Sequence, residues 1–211
     1  MSTVSESEGW ALPAVSLVFL ASYSVLVLAP TDVGPLHGIL IALILACWLA
    51  LIVRYLGRLL RAPAGSRSRF VRSHPQDLAA AVFPLLGAFT PLRRLHTLRG
   101  FRGHGGNALR SRVGVRAGLY AATFVYVMAL TELAVERGHP DATIRTFGNA
   151  VWWACVTIAT VGYGDLVPVT PLGRVVGIAV MAGGVAIIGT ASALVVSYLS
   201  ERIRAAVPPE R

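Results

Sequence analysis

The residues at 160–165, Thr-Val-Gly-Tyr-Gly-Asp, carry the clearest chemistry in this sequence. Gly162 and Gly164 can adopt backbone angles that residues with side chains rarely adopt, so successive carbonyl oxygens can all point toward one axis. The hydroxyl of Thr160 can add one more oxygen below them. Uncharged oxygens arranged in this way suit a monovalent cation that has lost its water shell. The pattern predicts a cation site lined by backbone, and the alternative is an ordinary glycine-rich turn.

Such a site needs elements that can hold irregular backbone in apolar surroundings. The chain is 55% hydrophobic and only 14% charged, whereas soluble domains carry about 25% charged residues. We therefore expect a membrane protein. The apolar stretches 12–29, 36–56, 114–135 and 172–200 are each long enough to span a bilayer. Residues 147–159 form a half-length apolar helix whose C-terminal end, with its partial negative charge, leads into Thr160 and favours a cation.

The number of crossings depends on the middle of the chain. Residues 78–90 are apolar but short, and residues 91–102 alternate leucine with arginine. Arginines crowd the polar loop 57–76 and recur before the 114–135 stretch and near the C-terminus. These clusters share the cytoplasmic side only if residues 78–102 cross twice, as two short helices hinged near Thr90-Pro91.

This topology predicts six membrane segments with both termini in the cytoplasm. The re-entrant loop 137–170 then lies outside the cell, and it is comparatively acidic, with Glu136, Asp141 and Asp165 in or near it. Trp152 and Trp153 precede the cation site, and their indole N–H groups need acceptors. Asp165 and the Tyr163 hydroxyl are candidates, while the alternative role of the tryptophans is an interfacial aromatic belt.

The stretch AVWWACVTIATVGYGDLVPVTP at 150–171, continued by LGRVVGIAVMAGG at 172–184, resembles the pore of the voltage-gated-type potassium channel superfamily in its small prokaryotic form. The resemblance is specific over about residues 147–190 and looser before residue 117. It implies an all-α membrane protein, with a four-helix sensor-like bundle and a two-helix pore module with a re-entrant helix and filter. It also implies a homotetramer in the plasma membrane that conducts K⁺ passively.

The resemblance assigns roles residue by residue. The K⁺-coordinating filter would be Thr160, Val161, Gly162 and Tyr163. Residues that support the filter would be Gly164, Asp165, Trp152, Trp153 and Thr157. Within that set, Trp152 would hydrogen-bond Asp165, and Trp153 and Thr157 would brace the Tyr163 ring. Gly184 would be the hinge of the inner gate, although glycines in membrane helices also permit close packing.

Residues 92–103 resemble the fourth segment of a voltage sensor. They read as four triplets, each with an apolar residue first and an arginine or histidine second. The candidate sensor residues are Arg93, Arg94, His96, Arg99 and Arg102, with Asp77 as an acidic partner. Residues 36–56 contain no Asp or Glu, which departs from the family pattern. Three readings stay open: a voltage sensor, a vestigial sensor, and a basic stripe that only sets topology.

The predicted organisation follows from these segments. A cytoplasmic N-terminus (1–11) precedes the sensor-like domain (12–103), a cytoplasmic linker (104–116), the pore domain (117–203) and a short cytoplasmic tail (204–211). Cys47 and Cys155 lie in apolar stretches and are expected to be buried free thiols.

Other functions were weighed against the channel. Scattered histidines form no metal-ligand or enzyme site, so we expect neither an enzyme nor a cofactor other than the permeant K⁺. The net charge of +9 does not indicate nucleic-acid binding, because the basic loop lacks interleaved aromatic residues. Its arginines could bind anionic lipid; they are Arg54, Arg58, Arg61, Arg67, Arg69 and Arg72. The alternatives are a constitutively open or pH- or lipid-modulated potassium channel, and a non-conducting regulatory membrane subunit.

Overall fold

A computed structural model describes residues 3–29, 34–93 and 106–206, and all regular secondary structure in these ranges is helical. The chain divides into two compact units, Met1–Arg99 and Gly100–Arg211, which we call the N-terminal unit and the C-terminal unit.

Two long helices begin the N-terminal unit. Helix α1 (Thr3–Leu28) starts nine residues before the predicted apolar stretch and contains Pro13. Helix α2 (Pro35–Arg61) starts at a proline, whose missing N–H costs nothing in the first helical turn. The two helices pack together and bury apolar side chains that include Phe19, Val27 and Leu51.

The polar loop predicted at 57–76 is instead largely helical. Helix α2 continues to Arg61, a 3₁₀ turn follows at Ala64–Ser66, and α3 (Arg67–Ser73) completes the connection. The flanking residues have enough helix propensity to fold locally, because Gly65 and Pro63 stand only at the breaks.

The next stretch departs from the predicted pair of short helices hinged near Thr90-Pro91. Helix α4 (Pro75–Val82) ends at Phe83, whose backbone is extended (φ −124°, ψ 90°). The cause is Pro84, since a proline disfavours the helical conformation in the residue before it. A 3₁₀ helix (Pro84–Phe89) and the single turn α5 (Thr90–Arg93) follow. The break therefore lies seven residues earlier than expected.

Small residues let these pieces pack closely in the N-terminal unit. A methyl group added to Gly87 would lie 2.6 Å from the Ser16 hydroxyl on α1. The buried Ala80 and Ala81 lie on α4, and the Trp48 indole N–H donates to the Ala81 carbonyl at 2.9 Å. In the described part of this unit, close backbone approach and the long-range hydrogen bond of Trp48 both hold the pieces together.

The C-terminal unit contains three helices that all contact one another: α6 (Gly106–Glu136), α7 (Phe147–Ile158) and α8 (Pro171–Ala206). Their shared core includes Leu130, Ala154 and Val180, each fully buried.

Three of the described helices contain a stretch long and apolar enough to cross a membrane: Pro35–Arg61, Arg112–Glu136 and Pro171–Ser200. Leu12–Leu28 and Phe147–Ile158 are shorter apolar helices. The chain is therefore an all-helical membrane protein in the ranges described.

Candidate ion-binding site

Helix α7 ends at Ile158, two residues before the predicted cation site. It begins where the Thr146 hydroxyl accepts a hydrogen bond from the Asn149 amide, a side-chain cap that satisfies one free N–H of the first turn. At its other end, the Val156 carbonyl accepts from the amides of Val161 (3.0 Å) and Gly162 (3.3 Å). The end of the helix therefore closes directly onto residues 160–162.

Residues 160–164 alternate between positive and negative φ angles. Thr160, Gly162 and Gly164 have φ angles of 58°, 56° and 78°, while Val161 and Tyr163 between them have negative φ. When residues alternate between left- and right-handed conformations, successive peptide groups turn the same polar atoms to one side. Thr160 is the one non-glycine residue with positive φ in the described ranges. For a β-branched residue this is a true outlier, and such strain concentrates at functional sites.

Behind the site, one aromatic pair and one hydrogen bond hold the loop against α7. The Trp152 indole N–H donates to the Asp165 carboxylate at 2.9 Å, which confirms the hydrogen bond expected from the resemblance. The Trp152 ring also stacks on the Tyr163 ring, with centroids 5.8 Å apart and planes within 2°. The Trp152 side chain therefore contacts both Tyr163 and Asp165.

The expected brace of Tyr163 by Trp153 is not the arrangement within one chain. Trp153 is buried, and a methyl group added to Gly177 on α8 would lie 3.7 Å from its ring. It lines an open cavity of about 580 Å³ under the loop. Thr157, Thr160 and Arg174 also line this cavity. Because Trp153 occupies the α7–α8 contact, its indole supports the helix packing, and the neighbouring Trp152 holds Tyr163.

The segment after the site is tied to the turn before α7. The Thr143 hydroxyl donates to the Val167 carbonyl and accepts from the Val167 amide, each at 3.1 Å. Such a reciprocal pair satisfies both backbone groups of one residue outside a regular ladder.

A buried carboxylate fixes the same segment closer to α8. Glu136, the last residue of α6, is 0% exposed. Its carboxylate accepts from the Val169 amide (3.0 Å), the Thr170 amide (2.8 Å) and the Thr170 hydroxyl (2.7 Å). The Thr170 hydroxyl in turn accepts from the Gly173 amide at 2.9 Å, capping the first turn of α8. Glu136 lies directly before the loop 137–170, as expected, but its carboxylate is buried and binds backbone groups of that loop.

Gly184, the candidate hinge, lies within α8, which continues without interruption through this position. A methyl group added there would lie 3.1 Å from the Ile158 Cα, at the end of α7. The neighbouring Gly183 faces α6, where an added methyl group would collide with the Phe124 ring. Both glycines therefore permit close packing in this structure, and the bend at Gly184 stays a prediction.

The sensor candidates fall mainly outside the described ranges. Arg93 ends α5, and Arg94, His96, Arg99 and Arg102 lie outside the described residues. Asp77 is described, and its carboxylate binds the Arg58 guanidinium at 2.5 Å. The Arg58 guanidinium also lies 5.5 Å from the centre of the Phe70 ring. The acidic partner expected for the basic segment is thus paired with a different arginine.

Two further predictions change with the structure. Among the arginines proposed for lipid, Arg58 is engaged by Asp77 and Arg54 is half-buried, which leaves four exposed side chains: Arg61, Arg67, Arg69 and Arg72. Cys47 is buried as expected, but Cys155 is exposed. The Cys155 prediction is wrong because its helix, α7, is only partly covered within one chain.

Sequence reasoning missed Thr143 and Glu132, and for Glu136 it predicted the position but not the buried hydrogen bonds. The two glutamates carried a usable signal: acidic residues four apart near the end of an apolar helix lie on one face, and ionisable residues in such helices are rare and usually functional. Thr143 carried no comparable signal, because its partner is a backbone group 24 residues away.

Two packed helices flank a half-length helix and a loop with positive φ at Thr160, Gly162 and Gly164, an arrangement that suits irregular backbone held within a membrane protein. Comparison with known proteins agrees, because residues 115–201 match the family model described as ion channel. Through this region the chain is similar to potassium channels.

The chain is similar to a voltage-gated potassium channel of Aeropyrum pernix, with 46% identity over 78 residues, 35% of this chain and 24% of the relative. It is similar to a calcium-gated potassium channel of Thermoplasma volcanium, with 37% identity over 75 residues, 36% of this chain and 22% of the relative. A cyclic nucleotide-gated potassium channel of Mesorhizobium japonicum is 32% identical over 98 residues, 46% of this chain and 27% of the relative. The matched regions thus cover about a quarter of each relative.

Proposed function

We propose that this chain is a subunit of a K⁺-selective channel that conducts K⁺ passively across the plasma membrane. The observation that carries the proposal is the alternating backbone of the site, with positive φ at Thr160, Gly162 and Gly164. In an assembled pore, the K⁺ ligands would be the oxygens of Thr160, Val161, Gly162 and Tyr163. The potassium channels similar to this chain support the choice of ion.

A homotetramer is part of the proposal, because one chain supplies a quarter of a ring of carbonyls. The surface of the single chain supports this. Val161 and Tyr163 are 53% and 65% exposed at the site itself. Exposed apolar side chains recur along α8, among them Val175, Ile178, Met181 and Val185. Neighbouring copies would cover these residues, and the cavity beside Trp153 and Thr157 is a place where a neighbour could complete the support of the filter.

The topology proposed is six segments with both termini in the cytoplasm. Three long apolar helices, the shorter α1 and the broken stretch at 78–90 would be five of them. The sixth would be the basic segment at 91–102, of which residues 94–102 lie outside the described residues. Exposed arginines on and near α3, namely Arg61, Arg67, Arg69 and Arg72, would face the cytoplasm and could contact anionic lipid.

The gating mode has two candidates. A voltage sensor requires Arg93, Arg94, Arg99 and Arg102, with His96, to move through the field, and each charge contributes about 2.3 kcal/mol per 100 mV. A constitutively open or pH- or lipid-modulated channel is favoured by one specific observation, the pairing of Asp77 with Arg58. The conductance–voltage curve distinguishes the two: a flat curve that Arg99→Gln and Arg102→Gln leave unchanged contradicts voltage sensing.

The ion itself is tested with the purified chain in liposomes. We expect K⁺ flux driven by a K⁺ gradient and little Na⁺ flux under the matched Na⁺ gradient, with Tyr163→Ala losing the K⁺ flux or its selectivity. A non-conducting regulatory subunit predicts no flux in either gradient. The tetramer is tested by chemical cross-linking in the membrane, where four bands are expected.

A further inference from the structure

A second buried carboxyl group lies one helical turn before Glu136. Glu132 on α6 is 0% exposed, like Glu136. Neither of its carboxyl oxygens has a hydrogen-bond partner, whereas the Glu136 carboxylate accepts from Val169 and Thr170. Of two buried glutamates one helical turn apart, one therefore has hydrogen-bond donors around its carboxylate and the other has none.

Both carboxyl groups face the first turn of α8. A methyl group built on Gly173 would lie 2.9 Å from a Glu132 oxygen and would collide with a Glu136 oxygen. Only a residue without a side chain admits the pair at this position. Because residues i and i+4 of a helix are neighbours, two negative charges here would repel each other in an enclosed site.

The charged and titratable groups nearby leave Glu132 without a counter-ion. On α6 its neighbour is Glu136, on α7 the titratable residue is the exposed Cys155, and on α8 it is the exposed Arg174. The turn after α6 carries exposed groups: Arg137, His139, Asp141 and Arg145. Asp165, in the segment before α8, is exposed and bonded to Trp152. None of these forms a hydrogen bond with Glu132.

We propose that Glu132 is a positioning residue that stays protonated while the channel conducts, and that loss of its proton releases the Glu136 carboxylate from Val169 and Thr170. An enclosed acid without a partner is most stable in its neutral form. A neutral Glu132 lets Glu136 carry the one negative charge that the three donors of Val169 and Thr170 require. This inference rests on the proposed function, since the segment that Glu136 holds connects the proposed filter to α8.

Deprotonation of Glu132 adds a second negative charge beside Glu136. In alkaline solution hydroxide removes the Glu132 proton, and a second anion then faces Glu136 at Gly173. Repulsion drives the two carboxylates apart, so the donors at Val169 and Thr170 lose their acceptor. The filter loses one of its outer supports, and K⁺ flux falls.

The test measures K⁺ flux of the full chain in liposomes across neutral to alkaline pH. We expect the wild type to lose flux as the pH rises, and Glu132→Gln, which keeps the shape without an ionisable proton, to hold its flux over the same range. His139→Gln is the matched control, because it removes a titratable group near Glu136, and it should retain the alkaline loss. An alkaline profile shared by the wild type and Glu132→Gln would overturn the proposal.

Infrared spectroscopy of the full chain keeps the proposal testable if Glu132→Gln folds poorly or if no K⁺ flux is found. The carbonyl band of a protonated carboxylic acid should be present at neutral pH and disappear in alkaline solution. It should be missing in Glu132→Gln and in Glu132→Met. A neutral-pH spectrum of folded wild-type protein without that band overturns the proposal, whatever the flux experiment gives.

Discussion

In the C-terminal unit, the irregular backbone after α7 is held by hydrogen bonds from side chains distant in sequence, whereas in the N-terminal unit the irregular backbone after α4 is held by close packing and a local hydrogen bond. The filter loop and the segment after it are fixed by Trp152, Thr143 and Glu136. The break at Phe83-Pro84 is followed by a 3₁₀ helix in which Gly87 approaches Ser16, and the Thr90 hydroxyl bonds the Gly87 carbonyl at 2.7 Å.

The difference follows from what each backbone has to do. A cation that has lost its water requires oxygens at fixed positions, and directional hydrogen bonds from rigid side chains can fix them. A break in a helix requires only that its free polar groups find partners and that its surface stays covered. The two units therefore predict different responses to mutation.

The largest effect is expected at Gly162. Gly162→Ala places a side chain on a residue with φ of 56°, and the left-handed conformation costs about 1–2 kcal/mol for such a residue. We expect loss of K⁺ flux in liposomes, because the carbonyls on either side can no longer keep their direction. Gly57→Ala is the matched control in α2, where an added methyl group meets open space, and its flux should equal that of the wild type.

Removal of the buried carboxylate should come next. Glu136→Ala leaves the Val169 and Thr170 donors without an acceptor, which costs about 3 kcal/mol. We expect a lower unfolding temperature in detergent, together with reduced K⁺ flux. Flux and thermal stability equal to those of the wild type would show that this carboxylate does not support the filter.

A smaller effect is expected where glycines permit close packing. Gly183→Ala forces a methyl group into the Phe124 ring, and overpacking of this kind costs about 1–3 kcal/mol. Gly189→Ala, on the same helix but with open space around it, should leave thermal stability unchanged. Gly87→Ala repeats the experiment in the N-terminal unit against Ser16. If it destabilises as much as Gly183→Ala, packing is equally tight in the two units.

The smallest effect is expected at the ion pair of the N-terminal unit. Asp77 is 16% exposed and Arg58 38% exposed, and solvent-screened pairs contribute about 1 kcal/mol or less. Asp77→Asn should therefore lower the unfolding temperature only slightly. A loss as large as that of Glu136→Ala would mean that charge, and not packing, holds this unit.

Much of the C-terminal unit could be predicted from the sequence because its signals are local. The alternation of glycine at 162 and 164 indicates the backbone conformation directly, and the spacing of Trp152 from Asp165 brings the donor to the acceptor once α7 is helical. The N-terminal unit was less predictable from the sequence. The effect of Pro84 on Phe83 ends a helix inside the apolar stretch 78–90, and the polar loop at 57–76 is largely helical.

The sequence by itself determined the membrane-spanning character, the half-length helix and the alternating backbone at 160–165, because composition, length and glycine placement act within a few residues. Only the tertiary structure decided which groups hold that backbone. Glu136 accepts hydrogen bonds from residues 33 and 34 positions away. Trp153 packs on α8, whereas Trp152 stacks on Tyr163. Asp77 pairs with Arg58. These contacts depend on which helices pack together, because a buried charge or donor can bind only the groups that packing brings near it.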